Sequence, residues 1–369
     1  MDKMYFRKPD FYQVNNVEAI LGIKAEKVDT VERVVTLADG RSVEYDKLLI
    51  ATGGKPFVPP NLNIDKDGIY SFIKLDDVKA IEKLAKPSAK TVIIGAGLIG
   101  LKAAEGLAKL GVDITVVELA NRVLSAILDE DAASYVQKNL EEHGIKFELN
   151  TTVDQILGGD KVNGVALKNG KQVDCDFLIA AIGVVPNTDP VKGTEVAVNR
   201  GILVDEQMAT NVPGVYAAGD VSEGYDLIYK TQRVLPILPN AYQQGETAGT
   251  NMAGEKVDYE GGFAMNAIGF FDYPMITAGI IKPEGDEFES LILSEPATKS
   301  YKKIVLRDDV IVGFIYLNKV DRAGILTGLI KEQANVRAFK QFLLKDDFGY
   351  IYLPVEERAA KLAKGGRSA

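Results

Sequence analysis

Residues 39–53, DGRSVEYDKLLIATG, and residues 169–183, NGKQVDCDFLIAAIG, align without a gap at an offset of 130. Gly40/Gly170, Val43/Val173, Asp46/Asp176, Leu48/Leu178, Ala51/Ala181 and Gly53/Gly183 are identical. Each copy reads as a tight hairpin followed by a short buried strand that stops at a small residue and a glycine. Ahead of the second copy stands GAGLIG, residues 95–100, a turn suited to a dinucleotide diphosphate. Subtracting the same 130 puts its first-copy partner about 35 residues before Met1. The chain therefore reads as two related nucleotide units, the first without its phosphate-binding turn.

The second unit is the more complete. Val92, Ile93 and Ile94 run straight into Gly95, Gly97 and Gly100, and Leu101, Ala104, Leu107 and Ala108 recur behind them at helical spacing. A strand over 114–117 completes a βαβ unit. Gly95 permits the turn, Gly97 lets the backbone approach a diphosphate, and Gly100 lets helix and strand touch. Free amides around Leu98 and Ile99 at the helix start meet the phosphate charge. Glu118, 18 residues beyond Gly100, ends the second strand where a carboxylate grips the adenosine ribose. That charge opposes a 2′-phosphate, so NADH is expected over NADPH. Arg122 argues the other way, because an arginine there can receive a phosphate or stack on adenine.

Composition narrows the function classes. A chain of 369 residues suits two or three domains, and its formal charge of −9 with no basic tract argues against nucleic acid. No apolar run approaches a membrane span and no signal-peptide pattern opens the chain, so a cytoplasmic location is the default. One cysteine, Cys175, supplies no internal disulfide or two-thiol centre, and one histidine, His143, supplies no histidine-rich metal site. Both read as structural, Cys175 as a packed strand residue and His143 as the end of a helix stopped by Gly144. Helices are expected over 71–84, 129–142, 243–253, 322–331 and 335–344. Strands are expected over 276–281, 290–293, 302–306 and 310–317, the last two joined at Asp308-Asp309.

Five motifs in order, YDKLLIATGGKP (45–56), VIIGAGLIG (92–100), VVE (116–118), FLIAAIGVVPNT (177–188) and TNVPGVYAAGD (210–220), carry a family resemblance. The chain resembles the FAD-dependent pyridine nucleotide-disulfide oxidoreductases, nearest the NADH oxidase, rubredoxin reductase and nitrite reductase large-subunit group. The resemblance implies an α/β fold: two related three-layer nucleotide-binding domains, the first incomplete, and a small C-terminal α+β domain. The FAD domain is split over 1–70 and 186–257, the NADH domain is inserted over 71–185, and the interface domain takes 258–369. The resemblance also implies FAD against Ala51, Thr52 and Gly53, with Gly219 and Asp220 at its ribityl and phosphate region and Gly183 as the repeat of Gly53.

The implied reaction is hydride transfer from NADH to flavin, then electrons to a protein such as rubredoxin or a reductase subunit, or to a small oxidant. Two alternatives stand beside it. One is a thiol-dependent oxidase or CoA-disulfide reductase whose cysteine lies in the missing segment; the other is a flavin-free NADH-binding subunit or remnant. The absent first turn leaves three explanations: it lies upstream, another chain supplies it, or FAD binding is lost. Lys102 departs from the family's glutamate near the nicotinamide and is either a catalytic charge reversal or a solvent-facing helix lysine. No metal is expected, and a homodimer is favoured. Phe263, Phe270, Phe271, Phe314 and Tyr316 would pack on the flavin domain, on a second subunit, or within their own core.

Overall fold

The computed structural model describes residues 7–57, 59, 62 and 66–365, so Pro60 of the Pro59-Pro60 break lies outside it. A short helix α1 (Phe11–Val14) precedes an antiparallel sheet of β1 (Ala25–Asp29), β2 (Val34–Leu37) and β3 (Ser42–Glu44), followed by β4 (Leu48–Ile50) and β5 (Gly54–Pro56). The chain then runs β6 (Ile69–Tyr70), α2 (Leu75–Leu84), β7 (Lys90–Ile94), α3 (Leu98–Ala108), β8 (Asp113–Val117), α4 (Glu130–Glu142) and β9 (Lys146–Glu148). A second antiparallel sheet follows, β10 (Val153–Leu157), β11 (Gly164–Leu167) and β12 (Gln172–Asp174), and then β13 (Phe177–Ala180) and β14 (Val184–Pro186).

The sequence repeat is a repeat of hydrogen bonds. Val35 faces Val43 as Val165 faces Val173, and the N–H groups of Leu37 and Leu167 donate to Arg41 O and Lys171 O, both at 2.8 Å. Gly40 and Gly170 sit at φ +85° and +86°, a conformation that costs glycine little and other residues more. Around the second copy the strands form one five-stranded parallel sheet in the order β6-β13-β7-β8-β9. Ile93, Leu101, Ala104, Ile114, Val116 and Leu140 bury its helical face. A parallel sheet covered in this way explains the near-continuous apolar runs of its strands.

Beyond β14 the chain returns to the first copy through β15 (Ile202–Leu203), β16 (Val215–Ala217), β17 (Ser222–Asp226), β18 (Thr231–Val234) and α5 (Leu238–Ala253). Here β16 pairs parallel with β4, Leu49 opposite Tyr216, and among the described residues no strand lines the other edge of β4. Helix α5 ends where the composition places its end, at Gly254 with φ +102°.

The last region is an antiparallel sheet of β19 (Met265–Phe270), β20 (Tyr273–Gly279), β21 (Phe288–Glu295), β22 (Ser300–Arg307) and β23 (Val310–Leu317), followed by α6 (Ala323–Lys331) and α7 (Val355–Gly365). Its order is β19-β20-β23-β22-β21. Two expectations need correction here. The helix over 335–344 is instead a set of turns with one 3-10 turn at Lys340–Phe342. Val336, Phe339 and Leu343 are buried at helix-like spacing, but Val336 N–H is drawn to Asp309 O at 2.8 Å, which ties the segment to the β22–β23 turn. Among the aromatic residues, Phe263, Phe314 and Tyr316 take the core placement that is one of those expected, while Phe270 and Phe271 depart from it. Phe314 and Tyr316 fill the core that also holds Leu326 and Ile330 of α6, while Phe270 joins the core of the parallel-sheet helices.

Candidate functional site

The glycine turn divides its labour by space. A Cβ on Gly95 would lie 2.3 Å from Ala181 O, and one on Gly100 would lie 2.1 Å from Gly95 O, so both glycines are required for β7, α3 and the end of β13 to meet. Gly97 has nothing within 4 Å of its Cβ position. It opens onto free space at the start of α3, where the first-turn amides have no carbonyl behind them. An open glycine between two crowded ones is the cradle that a diphosphate needs.

Glu118 closes this cradle from the β8 side. Its carboxylate accepts from Ala96 N–H at 2.7 Å and Ala120 N–H at 2.8 Å, which fixes it beside the turn with acceptor capacity left for ribose hydroxyls. Leu124, at φ +51°, donates its N–H to Ala96 O at 2.9 Å and holds the following loop over the turn. Arg122 is engaged elsewhere. Its Nη1 donates to Asn121 Oδ1 at 2.7 Å, and its Nε and Nη2 reach Leu128 O and Ser125 O at 3.4 Å. The guanidinium thus has partners within its own loop.

The first-copy residues form a second opening. Ala51 is exposed beyond β4, and Gly53, at φ +64°, has nothing within 4 Å of its Cβ position. Thr52 Oγ1 donates to Asn187 O at 2.6 Å, and Asn187 N–H donates to Gly53 O at 2.8 Å. Gly183, at φ +120° and equally open, accepts from Phe57 N–H at 2.9 Å. Between these bonds β5 and β14 pair antiparallel, Lys55 opposite Val185. The two repeated strand ends are thus knitted together by one ribbon.

Asp220 lies on the 3-10 turn Gly219–Val221, past the end of β16. Its carboxylate is half-buried and accepts no hydrogen bond among the described residues, and burial pushes its pKa up. An unsatisfied carboxylate at a strand end is suited to sugar or ribityl hydroxyls. The open Gly97 and the Glu118 carboxylate are compatible with an NADH diphosphate and ribose, and Asp220 with the ribityl side of FAD. Residues 1–45 hold only Gly22 and Gly40, and so no second glycine-rich turn.

Lys102 is held by neighbours on α3 and β19. It pairs with Glu105, donates to Gly269 O at 3.0 Å and lies 5.4 Å from the Phe270 ring centroid. Its contacts bind α3 to the end of β19. The sequence reading missed Glu105, the centre of this contact, although Lys102 and Lys109 flank it at spacings of three and four. Glu105 also accepts from Lys109 at 2.9 Å and from Phe271 N–H at 3.1 Å. Burial alone would raise its carboxyl, but the three hydrogen bonds outweigh it and hold the pKa down at about 2. His143 caps α4 and stacks on Phe271 at 4.0 Å, and Cys175 is buried with its thiol pushed up to about 11. Both therefore have packing roles.

Comparison with known proteins gives the family. The pyridine nucleotide-disulphide oxidoreductase model aligns with residues 8–245, and the rubredoxin NAD+ reductase C-terminal domain with residues 265–334. The chain belongs to the pyridine nucleotide-disulphide oxidoreductase family. Members of this family are flavoprotein oxidoreductases that bind FAD and NAD(H). A nitrite reductase [NAD(P)H] of Bacillus subtilis strain 168 is 32% identical over 328 residues, 89% of this chain and 40% of that protein. An NADH-rubredoxin oxidoreductase of Clostridium acetobutylicum is 30% identical over 331 residues, 88% of this chain and 77% of that protein. The chain spans less than half the length of the nitrite reductase that it matches. Among solved structures, a covalent putidaredoxin reductase–putidaredoxin complex aligns with a TM-score of 0.85 at 23% identity, covering 98% of this chain and 85% of that one, and supports the fold.

Proposed function

We propose that this oxidoreductase takes hydride from NADH and hands electrons to an acceptor outside the chain, a protein such as rubredoxin or a reductase subunit, or a small oxidant. FAD, when bound, supplies the redox chemistry between the two. The chain's residues bind and orient. The α3 amides and Gly97 receive the NADH diphosphate, Glu118 its ribose, and Ala51, Thr52, Gly53, Gly219 and Asp220 line the flavin side. Glu118 favours NADH, because a 2′-phosphate would meet a fixed carboxylate. The observation that carries this reading is the β5–β14 ribbon. It ties Gly53 to Asn187 and Gly183 to Phe57, linking the ends of the two repeated strands, which supports a reading in which hydride passes between the two units.

The match of residues 265–334 to a rubredoxin reductase domain supports a protein acceptor. A thiol relay within the described chain has no support, since Cys175 is buried and stays protonated at neutral pH. The test is anaerobic titration of the purified, FAD-reconstituted protein with NADH and with NADPH. Bleaching of the visible flavin band by NADH at lower concentration than by NADPH is expected. Calorimetric NADH binding with no flavin taken up would replace this reading with that of a flavin-free NADH-binding subunit.

A further inference from the structure

Gln244 lies on α5, 24 residues after Asp220, and is 1% exposed. Its Oε1 accepts from Gly219 N–H at 2.8 Å, the amide just before Asp220. Ser222 Oγ lies 3.1 Å from the same oxygen and 3.0 Å from Gly219 O. One side-chain oxygen therefore holds both sides of the turn that presents Asp220. The other end of the amide has no freedom either. A Cβ on Gly224 would lie 2.6 Å from Gln244 Nε2, and the Tyr259 ring stands 3.3 Å from that same point.

We infer that Gln244 is a positioning residue for the flavin side of the site: it acts on FAD through the Gly219–Val221 turn and touches no reacting atom. The turn needs such support. Gly219 is held at φ +78°, and Asp220 draws no hydrogen bond of its own from the described residues to fix its carboxylate. A buried amide left without its acceptor would relax toward another partner and swing the carboxylate with it. This role rests on the FAD reading above, and its test separates the two.

The test compares wild type with Gln244→Met, which keeps the volume and loses the acceptor, and Gln244→Glu, which keeps an oxygen for Gly219 N–H. Three quantities are read: FAD affinity by flavin fluorescence quenching, melting temperature without FAD, and hydrogen exchange of peptides spanning 217–223. Gln244→Met is expected to weaken FAD binding by about tenfold or more, with faster exchange confined to that segment. Gln244→Glu should stay within about threefold of wild type. Wild-type FAD affinity and exchange in a folded Gln244→Met protein overturn the inference. Should the methionine variant not fold, a folded Gln244→Glu that loses FAD tenfold overturns it too. If wild type takes up no FAD, the flavin reading fails, and the exchange of 217–223 still decides whether Gln244 holds the turn.

Discussion

Leu178 and Ile179 of β13 are fully buried, whereas their repeats Leu48 and Leu49 of β4 are only partly so. The hairpins before the two strands share register and hydrogen bonds, so the local sequence does not make this difference. The neighbours do. Strand β13 lies between β6 and β7 within a five-stranded sheet under α3, while β4 has β16 on one edge and no strand on the other among the described residues. The lesson is that a repeat specifies turn and strand locally, but burial belongs to the sheet that assembles around it.

The sharpest break in this comparison lies at the glycines. Gly100→Ala would drive a methyl into Gly95 O, so the second unit should lose about 2 kcal/mol of stability and about a hundredfold in NADH affinity. Gly97→Ala meets no atom, so stability should change by less than about 0.5 kcal/mol while NADH affinity falls about tenfold. Denaturant unfolding and calorimetry read both. Equal stability losses at the two positions would mean that Gly97 is a packing glycine and that the cradle is not open.

Much of this division could be read before the structure. The offset of 130, the strand-turn-helix around Gly95 and the acidic end of β8 all depend on local pattern, which sequence carries well. What escaped depends on contacts made at a distance. Strand β19, MNAIGF, mixes polar, small and apolar residues without a clean alternation, and is defined by pairing with β20. Lys102 looked free because its partners include Gly269 O, 167 residues away, and Arg122 looked available because its carbonyl partners carry no sequence signature. Gln244 falls in the helix expected over 243–253, and nothing in the local pattern marks it as buried. Its burial follows from the turn that folds onto it.

The second test compares the strands directly. Leu178→Ala should cost about 2–5 kcal/mol, the range for a filled core position. Leu48→Ala should cost only about 1 kcal/mol, since part of its surface already faces water. Urea unfolding of each variant measures the pair. Should Leu48→Ala cost as much as Leu178→Ala, the free edge of β4 is covered in solution, and the asymmetry between the units is smaller than the described residues imply. A chain that associates through that edge would also show a concentration-dependent melting temperature, which the Leu48→Ala variant would weaken.

The smallest effect separates a cofactor carboxylate from a turn cap at Asp220. Burial raises its pKa above the ordinary 3.8, so the folded chain holds this proton more tightly than the unfolded chain does. The resulting stability is fully present below 3.8 and is lost as the pH rises through the raised value. At neutral pH the buried charge is therefore a liability. Asp220→Asn should raise the melting temperature of the FAD-free protein slightly at pH 7, and the gain should vanish as the pH falls below the ordinary aspartate range. FAD binding should move the opposite way, because asparagine offers one acceptor oxygen where the carboxylate offers two to hydroxyl donors. A residue kept only to cap its turn has no reason to show both signs. A lower melting temperature with unchanged FAD affinity would make Asp220 part of the scaffold, and would leave the flavin contacts of this unit to Ala51, Thr52, Gly53 and Gly219.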